Sequence, residues 1–176
     1  FGTDGSGISS YNGHTFIEYD SEDGLASDLV LDIAEDEDGN IWFATGDGIS
    51  MFDGNTFTSY GVEQGMSGNY VNSIIIDFNG NVWCGIAGGG VNKFDGEGFT
   101  HYTTNEGLIS NEVTVVYGDS EENIWIGTQD AGVCMYDGYS FITYQEEMGI
   151  SDNYVKSIIE DNYGNMWFGT EGGGAS

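Results

Sequence analysis

The chain has 176 residues, 39% hydrophobic and 14% aromatic, which is enough apolar side chain to pack a core for one domain or a piece of a larger one. Thirty Asp and Glu stand against Lys93 and Lys156 alone, for a formal net charge of −28. That charge repels a phosphate backbone and an anionic lipid surface, so it argues against nucleic acid as a partner and against membrane contact by this segment.

Thirty glycines, no proline and short aromatic runs predict many tight turns and an all-β fold. In chain order, Phe1-Gly2-Thr3 matches Phe168-Gly169-Thr170, which follow Trp167. The chain is therefore expected to enter part-way along a strand, and the lack of a leader at its start carries no information about export. A turn at Ser10-Tyr11-Asn12-Gly13 and a run from Phe16 to Tyr19 come next, then a Gly-apolar loop from Gly24-Leu25 to Val30. An acidic turn, Asp36-Glu37-Asp38-Gly39, leads to Asn40-Ile41-Trp42; a second run ends at Met51-Phe52-Asp53-Gly54; a third spans Phe57 to Tyr60.

The same series then returns twice in full and once in part. Trp42, Trp83, Trp125 and Trp167 each follow Asn-X, at separations of 41, 42 and 42 residues. The acidic turns recur at Asp77, Asp119 and Asp161, the aromatic-Asp-Gly turns at Phe94-Asp95-Gly96 and Tyr136-Asp137-Gly138, and the Phe-X-X-Tyr runs at Phe99 to Tyr102 and Phe141 to Tyr144. The loops recur from Gly65-Met66 to Val71, Gly107-Leu108 to Val113 and Gly149-Ile150 to Val155.

Each unit reads as four short strands, a to d: a Val-led strand, one carrying Trp, one ending in aromatic-Asp-Gly, and the Phe-X-X-Tyr run. Asp-Gly and Asn-Gly between apolar runs are strong hairpin signals, because glycine accepts the positive φ such turns need. Four antiparallel strands in roughly 40 residues is the period of a β-propeller blade. Consecutive apolar residues, as in Ile41-Trp42-Phe43, fit sheets covered on both faces by neighbouring blades. The expected organisation is a single propeller domain, or a propeller fragment, over 1–176. Its full blades lie at about 28–61, 69–103 and 111–145, and one blade is split between 1–20 and 154–176. Closure of the split blade within one chain gives four blades. Closure between two chains, the favoured expectation, makes a homodimer with an eight-bladed ring.

The pattern Asp-X-X-Gly-Asn-X-Trp-X-Gly-Thr, then Gly-apolar-X-X-aromatic-Asp-Gly, Phe-X-X-Tyr and Gly-Leu, resembles the two-component regulator propeller repeat over essentially the whole chain. Asp161 to Thr170 and Asp119 to Thr128 match best; Glu122 in place of the turn glycine, Ala44 in place of a glycine, and the Cys84 to Ile86 step depart from it. The resemblance implies an exported, extracellular or periplasmic, sensor region of a bacterial regulator, often one that senses carbohydrate. The repeat is also similar to that of streptogramin-lyase-type propellers, which keeps an enzyme among the alternatives.

Few residues suit catalysis. His14 and His101 fall at different repeat positions, so no histidine pair is expected, and no Ser/His/Asp set can be drawn. Cys84 and Cys134 lack metal-ligand spacing and read as small core residues. The acidic turns resemble calcium loops faintly, but an Asp recurring beside a hairpin reads as a turn cap. No catalytic residue, metal or cofactor is expected. The tryptophans, recurring strictly in the second strand, read as inter-blade core.

Binding residues concentrate in loops on a rigid scaffold, here those leading into each Val-led strand. Aligned on the valine, one position holds Asp28, Asn69, Asn111 and Asn153 and the next holds Leu29, Tyr70, Glu112 and Tyr154. Asp28, Asn69, Tyr70, Asn111, Glu112, Asn153 and Tyr154 are the candidate ligand-binding residues, ringing one mouth of the channel. Amides, carboxylates and flat phenol rings suit an oligosaccharide or another polar small molecule. The competing readings are a protein-interaction scaffold and, for the Asx positions, side chains that only hold the loop.

Overall fold

The computed structural model describes residues 1–176, folded into short strands in five separate antiparallel sheets. β1 (Ile8–Tyr11) and β2 (Phe16–Tyr19) form a hairpin. Three complete blades follow: β3 (Val30–Glu35), β4 (Ile41–Thr45), β5 (Gly48–Phe52) and β6 (Phe57–Tyr60); β7 (Val71–Ile76), β8 (Val82–Ile86), β9 (Gly90–Phe94) and β10 (Phe99–Tyr102); β11 (Val113–Gly118), β12 (Ile124–Thr128), β13 (Val133–Tyr136) and β14 (Phe141–Tyr144). β15 (Val155–Glu160), β16 (Met166–Thr170) and β17 (Gly174–Ala175) form the last sheet. The fold is that of β-propeller blades in an open series, and the N-terminal hairpin and C-terminal strands do not share a sheet.

The core lies between blades. Trp42, Ala44 and Ile49 of one blade pack on Val71, Ile74 and Cys84 of the next, and the pattern repeats at each junction. This explains the unbroken apolar strands: all five residues of β8 and of β12 are buried. The Gly-apolar motif is a plug. Gly24, Gly65, Gly107 and Gly149 take φ between 105° and 113°, a left-handed conformation open to glycine, which ends the turn and turns the chain inward. The next residues, Leu25, Met66, Leu108 and Ile150, are buried between blades. In three of these loops the glycine closes a single 3-10 turn, Ser21–Asp23, Val62–Gln64 and Glu146–Met148, which the sequence pattern did not indicate.

The acidic turns are clamps on the tryptophans. In each repeat one carboxylate oxygen accepts the backbone N–H groups two and four residues on, and the other accepts the indole N–H; at Asp77 the indole distance is 2.8 Å and at Asp119 it is 2.7 Å. Asp36 and Asp161 repeat the arrangement. These carboxylates serve the turn, and burial draws up Asp36, Asp77 and Asp119, yet hydrogen bonds from Trp, Asn and backbone outweigh it and hold all three below the ordinary range. Cys84 and Cys134 are buried free thiols in different parts of the blade. Burial pushes the Cys134 thiol up to about 11, and that of Cys84 up as well, so neither is a ready nucleophile.

Candidate functional site

The Val-led strands β3, β7, β11 and β15 lie at one edge of their sheets and pack against one another in succession. Each carries a β-bulge one residue past its valine, with the register shifting across Leu31, Asn72, Thr114 and Lys156. A bulge frees backbone groups and re-aims a side chain. Here the bulged side chains stitch the blades: Asn72 Nδ2 donates to the Val113 carbonyl at 2.7 Å and Thr114 Oγ1 to the Val155 carbonyl at 2.5 Å. Behind them, Asp32 accepts from Ser73 Oγ and the Ile74 N–H, and Ser73 Oγ in turn accepts the Val116 N–H.

Over this ladder lies a cavity of about 420 Å³ lined by Tyr70, Asn72, Ala87, Thr114, Gln129, Tyr154 and Lys156. Three successive units contribute to it. Tyr70 and Tyr154 come from the loops before β7 and β15, and Ala87 and Gln129 from the turns after β8 and β12. Those turns are tied to the loops by backbone bonds, Ala87 N–H to the Tyr70 carbonyl and Gln129 N–H to that of Glu112, so both loop sets ring the same mouth. Lys156 pairs with Glu171, which raises its pKa, and its ammonium sits 5.3 Å from the Tyr154 ring centroid. None of the seven lining residues is acidic, although the chain has 30 acids, and one of its two lysines is here.

Of the seven residues singled out from sequence, the structure brings Tyr70 and Tyr154 to this cavity. Asp28, Asn69, Asn111 and Asn153 lie in the same loops but turn inward on them. Each side-chain oxygen accepts the backbone N–H seven residues earlier, at Ser21, Val62, Thr104 and Glu146, over 2.7 to 3.0 Å. Their carbonyls also bind the preceding blade, as in Gly48 N–H to Asn69 and Gly132 N–H to Asn153. Glu112 is exposed beside the mouth without lining the cavity. Sequence reasoning missed Asn72, Thr114, Gln129 and Lys156. The residue after each valine is the varying column that marks three of them, but its direction depends on the bulge.

The histidines stand apart. His101 Nε2 lies 2.7 Å from the Gly65 carbonyl, tying β10 to the loop before its blade, and His14 sits in the exposed β1–β2 turn.

With the blade, the clamp and the mouth in place, comparison with known proteins is direct. The two component regulator propeller family matches residues 24–47, 107–130 and 149–172, each running from a Gly-apolar loop through the Trp strand. These three segments are similar to two-component regulator propeller repeats. The unmatched unit is the one where Ile86 stands in place of Thr45, Thr128 and Thr170, whose hydroxyls bond the carbonyl closing the turn; there Ser67 Oγ bonds Gly89 instead, at 2.9 Å.

Among solved structures, the chain is similar to the extracellular domain assigned to the hybrid two component system BT3049 of B. thetaiotaomicron. Identity is 26% and the TM-score 0.83, over 91% of this chain and 24% of that one. The extracellular domain of BT4673 from the same organism gives 19% and 0.77, over 93% and 25%. The chain thus spans about a quarter of each of these domains. Virginiamycin B lyase of Staphylococcus aureus, at 16% identity and TM-score 0.75 over 98% of this chain and 62% of that one, shares the fold. No curated protein sequence matches. No helix of the chain is long and apolar enough to cross a membrane.

Proposed function

We propose that the chain is a non-catalytic, ligand-binding segment of an exported sensor propeller, and that its ligand is a neutral or weakly anionic polar molecule of the oligosaccharide class. The observation that carries this reading is the cavity between Tyr70 and Tyr154. Two phenol rings offer flat faces to a sugar ring, while Gln129, Asn72 and Thr114 supply amide and hydroxyl groups between them. In a chain of net charge −28, a cavity lined by no carboxylate, with Glu171 beside it paired to Lys156, spares an electron-rich ligand part of the repulsion found elsewhere on the surface. Lys156, paired with Glu171, keeps N–H donors for a ligand oxygen.

The location outside the cytoplasm is supported by the extracellular domains that the chain resembles. The non-catalytic reading is supported by the histidines, neither of which lines the cavity.

A thermal-shift screen against neutral and uronate-containing oligosaccharides tests this. At least one should raise the Tm of the wild type and leave that of Tyr154→Ala unmoved. A panel without effect, or equal shifts in both proteins, contradicts the assignment.

A further inference from the structure

The Val-led strands run from the mouth to the acidic turns, and a second cavity, of about 310 Å³, opens at their far end. Its floor is apolar. Ile75 and Ile76 at the end of β7, Tyr117 in β11, Ile124 at the start of β12 and the exposed Phe78 in the turn after β7 line it. The three blades that build it are complete and consecutive, and its lining residues run from 35 to 124, so its shape does not depend on either end of the chain.

The cavity exists because one side chain is missing. The last residue of the Val-led strands is Glu35, Ile76, Gly118 and Glu160 in turn. One junction further along, Glu160 fills this place, and its carboxylate accepts the Ser120 N–H and Oγ at 2.7 Å each, joining blade to blade. Gly118 has no side chain to offer Phe78, the counterpart of Ser120. Its φ is not positive, so its backbone does not require glycine. A Cβ there would meet only the Ile75 side chain, at an ordinary 3.6 Å.

Three carboxylates stand around the floor, those of Glu35, Glu37 and Glu122. Asp77 and Asn123 also line the cavity, but both are committed to the tryptophan clamps. No cation of the chain serves the three glutamates. The one ion pair is Lys156 with Glu171, and Lys93 lies over the Trp83 ring, 5.5 Å from its centroid, in an outer cavity that meets this one at Phe78 and Glu122. Glu122 is held there against its backbone preference, with φ at 70° where three other turns carry glycine.

We propose that this cavity binds a small organic cation, an amine or guanidine on an apolar body, at the opposite end of the strands from the oligosaccharide mouth. The floor takes the apolar body, and Glu35, Glu37 and Glu122 accept from the charged head, which offsets its desolvation. Charge decides the class. An apolar floor alone would accept any apolar group, but a neutral or anionic one would leave three carboxylates on one rim without a counter-ion. The first mouth, lined by no carboxylate and holding Lys156, is the reverse. The volume points to a small molecule, since it lies at the lower end of the usual range of about 300–1,000 Å³ for such sites.

Calorimetric titration of the full chain with phenethylamine tests the proposal, with phenethyl alcohol and phenylacetate as neutral and anionic ligands of the same shape. One amine should bind per chain, and the alcohol and the acid should bind at least about tenfold more weakly. Glu122→Gly should weaken the amine roughly threefold while its Tm stays at or above that of the wild type, which separates loss of the site from loss of the fold. Gly118→Ile gives the strand the side chain that β7 carries at Ile76, and should abolish binding with the β circular dichroism spectrum intact. Asp130→Asn removes an exposed acid in the turn after β12, at the other end of the blade, and should bind as the wild type does. No binding of the amine overturns the proposal, as does equal affinity for the amine and the alcohol, or unchanged affinity in Gly118→Ile. A loss in Asp130→Asn equal to that in Glu122→Gly also overturns it, because the amine is then drawn by the net charge and not by the site. Binding of a blocked lysine tripeptide but not of the free amine would assign the cavity to a protein partner and overturn the small-molecule assignment.

Discussion

Replacing Asp119 by Asn keeps the shape of the side chain and removes part of its accepting capacity. Asp119 is 6% exposed. Its Oδ1 accepts the N–H groups of Glu121 at 3.0 Å and Asn123 at 2.8 Å, and its Oδ2 accepts Asn123 Nδ2 at 2.9 Å and Trp125 Nε1 at 2.7 Å. An amide keeps the two backbone bonds through its oxygen, but its NH2 then faces the indole N–H and the Asn123 amide, donor against donor. Each lost bond to a charged acceptor is worth about 1.5–3 kcal/mol, and because the two share one site the combined cost is nearer the top of that range than the sum. At about 2–4 °C per kcal/mol for a chain of this size, Tm should fall by roughly 6–12 °C.

Urea unfolding followed by tryptophan fluorescence and circular dichroism measures the effect. The same change at Asp161, whose clamp on Trp167 is open to solvent, should move the midpoint far less. Equal losses at the two positions would refute the claim that burial gives the clamp its strength. The pH dependence has a definite sign. Asp119 lies below its ordinary value of 3.8 because hydrogen bonds from Asn123, Trp125 and backbone outweigh the upward pull of burial. Its contribution is therefore complete above pH 3.8 and fades as the pH falls below that value toward the folded pKa. The wild type should lose stability more steeply than Asp119→Asn in that window.

Glu122 is the one residue other than glycine with positive φ, at 70°, in the place held by Gly39, Gly80 and Gly164 at 82°, 78° and 80°. Since the left-handed conformation costs a residue with a Cβ about 1–2 kcal/mol, Glu122→Gly should raise stability by about 1 kcal/mol after the entropy that glycine loses on folding. An unchanged or lower urea midpoint would contradict this. Asn111→Ala leaves the Thr104 N–H without its acceptor and should cost about 1 kcal/mol, read as a lower midpoint at constant slope. Added salt should raise Tm by screening the acids from one another; a Tm insensitive to salt would mean that bound cations already neutralise them.

The blade was legible in the sequence because every one of its parts is tied to a repeat position. Trp42, Trp83 and Trp125 had to be core to recur so strictly, and Asp-X-X-Gly had to be a turn whose carboxylate finds backbone N–H groups. The mouth was legible only in part. Tyr70 and Tyr154 could be placed there because the loop before a Val-led strand opens on one face of the sheet. Asn69 and its equivalents occupy the same loop, but the direction of a short side chain depends on a turn seven residues long, and it folds back on Val62 and its counterparts. Asn72 and Thr114 were hidden for the opposite reason. Strict alternation would bury or expose them with their strand, and the bulge that redirects them leaves no residue signature of its own.

Calorimetric titration of the best oligosaccharide from the screen into the wild type, Tyr70→Ala, Tyr154→Ala and Tyr139→Ala tests the binding account most directly. Tyr139 is 96% exposed at the tip of the turn between β13 and β14, and serves as a tyrosine outside the cavity. The account predicts that Tyr139→Ala binds as the wild type does and that each mouth variant loses at least tenfold in affinity, about 1.4 kcal/mol. Unchanged affinity in Tyr70→Ala and Tyr154→Ala together would contradict it.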